Sequence, residues 1–282
     1  IIKRISELGK LNDDLNKKII NAKTLVELED LYRPYKSKKQ TRATKAREKG
    51  LEPLANIILK QEITEDVKNI AKDYVNDEVK SPKEAIQGAQ DIIAEEISDN
   101  SEFRKKIRQN TFYTGKIETK AKNKDESTEY DIYYNYSEDV KRIPPHRILA
   151  INRGENEGII KGKITCDSDD VIEYLNRHIL KNISNNPGKI KYNKYTTPII
   201  KEAIIDSYKR LISPAIEREI RNCLTQKAEE KSIEVFAKNL NQLLMESPLV
   251  GKTILGWDPA FRTGCKLAII DETGKVLDTA LI

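Results

Sequence analysis

The sequence is poor in cysteine, and this shortage excludes several kinds of protein. Its 282 residues include three cysteines, Cys166, Cys223 and Cys265, which are widely spaced and have no nearby histidine. An odd and scattered set builds neither a disulfide framework nor a zinc site, so we expect reduced thiols, no metal and no cofactor. Hydrophobic residues still make up 38% of the chain, which is enough for the cores of one or two domains.

Long hydrophobic runs and a strong net charge are also missing. No stretch reaches the roughly eighteen apolar residues of a membrane-spanning helix, and the apolar stretch at Ile1–Ile5 is too short for a secretion signal. We therefore expect no membrane partner and a cytoplasmic location. Lys and Arg number 50 against 45 Asp and Glu, for a net charge of +5. Because this balance is typical of many lysine-rich proteins, any argument for nucleic acid has to be local.

Hydrophobic spacing predicts helices over most of the chain. Leu8, Leu11, Leu15 and Ile19 recur at helical spacing and predict one N-terminal helix. Ser81 and Pro82 form a start signal for another, with Ala85, Ala89, Ile92, Ile93 and Ile97 on its buried side. The longest predicted helix covers residues 214–246 after a cap at Ser213, a rod of roughly 50 Å at 1.5 Å per residue. A rod of that length usually bridges domains.

Strand character is confined to short segments. The polar stretch from Thr114 to Glu129 predicts a loop with at most a short strand. After Gly251, three runs at 253–258, 265–270 and 275–281 predict strands, the last two joined by a hairpin loop. Three strands without a following helix leave a face and an edge uncovered, so we expect the start of a larger domain. Since the sequence also opens without Met, we expect it to be a piece of something larger.

Positive charge is concentrated in residues 33–49, the basic segment, where the single acidic residue is Glu48. Cations and small hydroxyl side chains in one proline-interrupted stretch suit contacts to phosphate oxygens. The candidate nucleic-acid-binding residues are Arg33, Lys36, Lys38, Lys39, Arg42, Lys45 and Arg47. A solvated connector is an equally good interpretation. Pairing of these cations with neighbouring Asp and Glu would favour the connector.

Asp258 ends a strand in the segment 256–265 and is the candidate for a metal-dependent reaction. Phosphodiester hydrolysis with two metal ions requires several carboxylates around ions about 4 Å apart. If the strands form a hairpin, Asp271 lies about 20 Å from Asp258 and Asp278 roughly 10 Å away. This stretch therefore supplies at most one ligand, and a turn Asp that caps the backbone is an equal alternative.

Two further features have an ordinary structural interpretation. Arg153 and Glu155 suggest an ion pair at a bend, and four tyrosines follow one another closely nearby, at Tyr130, Tyr133, Tyr134 and Tyr136. Aromatic rings of this kind stack on bases in some proteins. The acidic residues beside them repel phosphate, so we favour packing.

Four segments together carry a family resemblance, and they are Leu28–Lys36, Thr41–Thr44 with Ala46–Ala55, Ile148–Glu155, and Asp258–Lys266. In this order they closely resemble the bacterial Tex family of transcription accessory proteins. The resemblance covers essentially the whole chain, and three separated, uncommon motifs make it specific.

The resemblance implies a mainly α fold. Residues 1–250 would form a multi-helix region that includes a helix-turn-helix and the long connecting helix. Residues 251–282 would form the truncated first β-hairpins of an RNase H-like (YqgF) α/β domain. Asp258 matches the first acidic position of the YqgF-type motif, but Ala260 stands where Gly is usual. The added Cβ puts close backbone approach to a phosphate or metal in doubt.

The function implied is a nucleic-acid-binding transcription accessory or elongation-related scaffold, non-catalytic in this stretch, with RNA or DNA as partner. The alternative is a metal-dependent, resolvase-like nuclease that uses Asp258 in a complete YqgF domain. A third hypothesis is a hub whose long helix docks RNA polymerase or another transcription protein. An exposed apolar stripe on residues 214–246 would support the hub.

Overall fold

The computed structural model describes residues 1–36, 40–123, 127–184, 190–247, 249–260, 262 and 264–282. They form two compact units, Ile1–Glu229 and Glu230–Ile282. The α-helices are α1 (Ile2–Glu7), α2 (Asp13–Ile20), α3 (Leu25–Tyr32), α4 (Arg42–Glu48), α5 (Glu52–Lys60), α6 (Val67–Ile70), α7 (Pro82–Asp99), α8 (Ser101–Thr114), α9 (Pro145–Asn156), α10 (Ser168–Ile179), α11 (Thr197–Asp206) and α12 (Ser213–Leu244). The strands are β1 (Lys116–Ala121), β2 (Asn135–Asp139), β3 (Ile160–Thr165), β4 (Ile254–Asp258), β5 (Lys266–Ile270) and β6 (Val276–Leu281). The mainly α fold class predicted from the sequence is confirmed.

Helix α7 lies at the centre of the first unit, against α4, α5 and α11. The Ser81 hydroxyl accepts a hydrogen bond from the backbone N–H of Glu84 at 3.2 Å, and Pro82 opens the helix, as predicted. Its predicted inner face is buried. Each large aliphatic side chain buried there contributes about 1.5–3 kcal/mol, so the hydrophobic face fixes the position of this helix.

The helix predicted from the spacing of Leu8 to Ile19 is present only from Asp13 onward, as α2, and a separate helix, α1, precedes it. Gly9 takes a positive φ of +66° after α1, a conformation that ends a helix and favours glycine. Asn12 then caps α2 by accepting from the backbone N–H of Leu15 at 2.8 Å. Ile5, Leu15 and Ile19 share a small core of their own with residues of α3.

Within the stretch 114–129, where the sequence predicted a loop with at most a short strand, residues 116–121 form a six-residue strand. Strand β1 is the middle strand of an antiparallel sheet in the order β2-β1-β3. Ile117 and Thr119 point inward and are almost completely buried. Of the two inward residues only Ile117 is apolar, and the charged residues Lys116, Glu118 and Lys120 occupy the outer positions, so the segment looks polar when read along the chain.

A π-helical stretch, Ser207–Ile212, joins α11 to α12. Ser213 has helical backbone angles of −57° and −48°, so it continues the helix where the sequence predicted a cap. A proline inside an α-helix loses one backbone hydrogen bond and clashes with the carbonyl four residues earlier. Such π turns occur as local bulges inside α-helices, and here one lies immediately before Pro214, after which the helix continues.

The long helix predicted over 214–246 is present as α12. Ile216, Ile220 and Ala228 in its first half are buried, whereas the apolar residues of its second half are exposed. Exposure there is 67% for Ile233 and 66% for Phe236. This exposed stripe is the feature that the hub hypothesis requires, confined to the second half of the helix.

In the second unit, β4, β5 and β6 form an antiparallel sheet in that order. The three predicted strand runs are confirmed, and the loop after β5 is closed by Asp271, which accepts from the backbone N–H of Thr273 and Lys275 at 2.8 and 3.0 Å. Over the described part of the chain, every helix falls short of the length and apolar character needed to cross a bilayer.

Candidate nucleic-acid interface

The first residue of the basic segment, Arg33, lies beside a buried ion-pair network. Asp30 is 3% exposed and Arg104 is 1% exposed, and their charged groups meet at 2.6 Å. The guanidinium of Arg108 joins the other oxygen of Asp30, and Glu219 of α12 binds both arginines. Arg33 reaches Glu219 at 4.0 Å, and burial lowers its pKa. Arg33 is therefore partly committed to holding α3, α8 and α12 together.

The remaining arginines of the basic segment, Arg42 and Arg47, lie on α4 and differ in exposure. Arg47 faces α7 and donates to Glu95 at 2.6 Å, with Glu52 and Glu96 also within 4.0 Å. Burial works against its charge, but Glu95 outweighs burial and raises the pKa of Arg47. Arg42, by contrast, is exposed. Arg47 thus anchors α4 on α7, and acidic groups neutralise it.

Three cations of the basic segment remain available to a ligand, and we call them the open cations: Lys36, Arg42 and Lys45. All three are exposed, and within the described residues none takes part in a salt bridge. The predicted binding residues Lys38 and Lys39 lie outside the described residues. The predicted set is therefore divided, with two arginines paired to acids and three cations open.

The outer face of the first sheet carries a second basic surface, the lysine face, that the sequence interpretation missed. It consists of Lys116 and Lys120 on β1 and Lys161 and Lys163 on β3, all exposed. Lys120 lies directly opposite Lys161. Like charges directly opposite each other destabilise a sheet. Lys163 has a weak partner in Glu118 at 3.8 Å, and no other salt bridge holds these lysines among the described residues.

The signal for this surface was present in the sequence. Lysines alternate with inward side chains in Lys116-Ile117-Glu118-Thr119-Lys120 and in Ile160-Lys161-Gly162-Lys163-Ile164. Alternation with a period of two places alternate side chains on one face. The lysines come together only because β1 pairs with β3. The paired residues, for example Lys120 with Lys161 and Lys116 with Thr165, are 39 to 49 residues apart in the sequence.

Asp258 lies exposed at the end of β4, in the second unit. Its cross-strand neighbour is Lys266, and Asp278 lies opposite Ile269, three residues farther along β5. Three residues of extended strand cover about 10 Å, and β4 and β6 are two strand spacings of about 4.8 Å apart, so the two aspartates are separated by about 14 Å, farther than the sequence predicted. Among the described residues, no group of three or more His, Cys, Asp or Glu is placed to hold a metal ion.

The tyrosines and the Arg153–Glu155 pair have different outcomes. Tyr130 and Tyr133 are 3% and 5% exposed, which confirms packing for these two rings. Burial, followed by a hydrogen bond to Glu138, raises the pKa of Tyr136 to about 12.

The predicted ion pair between Arg153 and Glu155 was wrong. Glu155 instead binds Arg221 of α12 and accepts from the backbone N–H of Gly162 at 2.7 Å.

The fold and these surfaces define a class of protein: a helical unit with basic surfaces, followed along the chain by a three-stranded antiparallel sheet. The family model "Tex central region-like" matches residues 62–236, and "Tex protein YqgF-like domain" matches residues 252–282. The chain belongs to the Tex family.

Curated relatives match the full length of the chain. It is 49% identical to "Uncharacterized protein YdcI" of Bacillus subtilis and 33% identical to "Transcriptional accessory protein Tex" of Neisseria gonorrhoeae. It is 34% identical to the human "S1 RNA-binding domain-containing protein 1". The chain spans 39%, 37% and 29% of the lengths of these three proteins, respectively.

Proposed function

We propose that this chain is part of a non-catalytic transcription scaffold that binds nucleic acid through the lysine face and the open cations. The observation that carries the proposal is the direct opposition of Lys120 and Lys161. Like charges directly opposite each other on a sheet repel. A bound phosphate would offset that repulsion. The names of two relatives, one a transcriptional accessory protein and one an S1 RNA-binding domain-containing protein, support the same class of ligand.

The lysine face fits the phosphate backbone better than the bases. Its cations are lysines, and Glu118, Asp139, Ser137 and Asn135 lie on the same outer face, with Asp139 directly opposite Lys116. Base stacking requires aromatic rings, and the nearby Tyr130 and Tyr133 are buried. We therefore expect binding with little sequence preference and a strong dependence on salt.

A salt titration tests this proposal. Binding of a fluorescent RNA strand and of a DNA duplex would be measured at several salt concentrations. The logarithm of the binding constant falls linearly with the logarithm of the salt concentration, and each phosphate contact that a substitution removes should reduce the magnitude of this slope by about 0.9 on duplex DNA. We expect the double variant Lys120→Ala with Lys161→Ala to reduce the magnitude of the slope by about 1.8. The triple variant Lys36→Ala, Arg42→Ala and Lys45→Ala should reduce it by about 2.7.

A matched control removes the same charge elsewhere. Lys10 and Lys106 are exposed and form no salt bridge with the described residues. Their double alanine variant should leave the slope unchanged. Equal slopes for the original protein and both sets of test variants would overturn the proposal.

The competing function is a metal-dependent nuclease that uses Asp258, and the YqgF-like match over residues 252–282 is the observation in its favour. We expect the full-length protein to leave structured nucleic acid intact in Mg²⁺ or Mn²⁺. Cleavage that disappears in Asp258→Asn would establish the nuclease.

A transcription role also leads us to expect a cytoplasmic location and contacts with RNA polymerase. Co-purification of the full-length protein with polymerase would test these contacts.

A further inference from the structure

A lysine-lined groove lies in the first unit, apart from the lysine face and the open cations. It has a volume of about 890 Å³. One wall is a stripe of α7 at residues 82, 83, 86, 87 and 90, and the other is formed by residues 194, 195, 198, 199 and 202 on α11 and just before it. Residues 66–68 and 72 complete the lining. The α7 wall extends over about 12 Å at helical spacing, and the second wall combines residues 198, 199 and 202 of α11 with two residues just before it.

The side-chain amide of Gln90 joins the two walls at one end of the groove through two hydrogen bonds. The Gln90 amide donates to Glu202 at 2.7 Å and reaches the carbonyl of Ile199 at 3.3 Å. Asp66, the second acidic residue of the lining, caps α6 by accepting from the backbone N–H of Lys68 at 2.9 Å. The two acidic side chains of the groove are thus already engaged in the fold.

Four lysines line the groove: Lys68, Lys72, Lys83 and Lys194. All are exposed, and none forms a salt bridge within the part of the chain that the structure describes. Against Asp66 and Glu202 they leave a surplus of two positive charges. The groove therefore attracts an acidic ligand.

The apolar lining decides between nucleic acid and protein as that ligand. Val67, Ile86, Pro198 and Ile199 are aliphatic or cyclic side chains and offer no stacking platform. The one aromatic ring, Tyr195, is covered by the Lys194 ammonium at 4.7 Å from the ring centroid. An apolar channel between two helices with charges at its rim is the typical receptor for an amphipathic helix.

We propose that this groove docks an amphipathic helix of a partner protein, with apolar side chains against Ile86 and Ile199 and acidic side chains against the four lysines. A channel of about 12 Å accommodates two turns of such a helix. This interaction is independent of the nucleic-acid binding proposed above, because it uses different residues.

The probe is a fluorescein-labelled peptide of about fifteen residues, with leucines at helical spacing and glutamates on the other faces. Fluorescence anisotropy would measure its binding to the purified protein. We expect Lys72→Glu with Lys83→Glu to weaken binding by at least roughly tenfold. The control Lys10→Glu with Lys106→Glu should change it less than about twofold. A peptide of the same composition with the helical spacing scrambled should bind at least about tenfold more weakly.

A second probe, an oligo-dT strand of about twelve nucleotides, tests the competing ligand class. If Lys72→Glu with Lys83→Glu abolishes dT binding and leaves peptide binding unchanged, the groove is a nucleic-acid site and the proposal is overturned. Equal peptide binding by the groove variant and the control variant overturns it as well. Circular dichroism would confirm that both variants fold, which is expected because the substituted lysines are exposed.

Discussion

Substitution of Asp30 by Asn should destabilise the first unit more than most other single polar changes. Both carboxylate oxygens of Asp30 receive guanidinium groups, from Arg104 at 2.6 Å and from Arg108. Asn keeps one acceptor but turns an N–H₂ group toward the other arginine, and the negative charge is lost. Arg104 is 1% exposed, so water does not replace the missing partner.

The magnitude follows from burial and geometry. Breaking a buried ion pair by removing one partner costs about 3–5 kcal/mol. Glu219 still binds both arginines after the substitution, which places the expected loss near the lower end, at about 3 kcal/mol. For a unit of this size, about 2–4 °C of melting temperature is lost per kcal/mol. We therefore expect a fall of roughly 10 °C.

Thermal and urea unfolding, followed by circular dichroism, would measure the loss. The control is Asp14→Asn, which removes an exposed pair with Lys18 at 2.9 Å and should leave stability unchanged within error. A loss below about 1 kcal/mol for Asp30→Asn, or one equal to the control, would refute the argument that the buried network holds the unit together.

Two further predictions concern stability. The hydrogen bond from Lys49, followed by that from the Lys80 backbone, lowers the pKa of Glu84 below its ordinary value of 4.5. The resulting stabilisation is present above pH 4.5 and is lost as the pH falls through the lowered pKa, so Glu84→Gln should flatten this acid limb of an unfolding titration. An identical limb in both proteins would contradict the assignment. Gly88→Ala adds a Cβ only 2.4 Å from Cδ1 of buried Leu51, and we expect a net loss of about 1–2 kcal/mol in urea unfolding despite better helix propensity. Unchanged or increased stability would show that Leu51 moves aside.

Local sequence signals were sufficient for most single elements. The cap and proline at Ser81 and Pro82 fixed the start of α7, and uninterrupted helical spacing predicted α12 to within two residues at each end. Such signals act over a few residues, so they survive without knowledge of the rest of the chain. They failed at Gly9, which follows the end of α1, and at Pro214, where the helix continues through the predicted cap. At each position the residue is compatible with either the end or the continuation of a helix, and the conformation of the neighbouring backbone decides between the two.

The candidate sites depended on contacts that no local pattern encodes. The basic segment was visible as composition, but its division into paired arginines and open cations depends on Glu95 and Glu219, which are far away in the sequence. The lysine face required the pairing of β1 with β3, and the groove required α7 to pack against α11.

The amino-acid sequence by itself determined the helical character of this protein, its family and the concentration of charge near its N-terminus, because periodicity and short motifs are properties of neighbouring residues. Tertiary structure alone decided which charges are neutralised and which stay open to a ligand. The physical reason is that Coulomb energy and desolvation depend on distance and burial in space. Residues such as Asp30, Arg104 and Glu219 become neighbours only when the chain is folded.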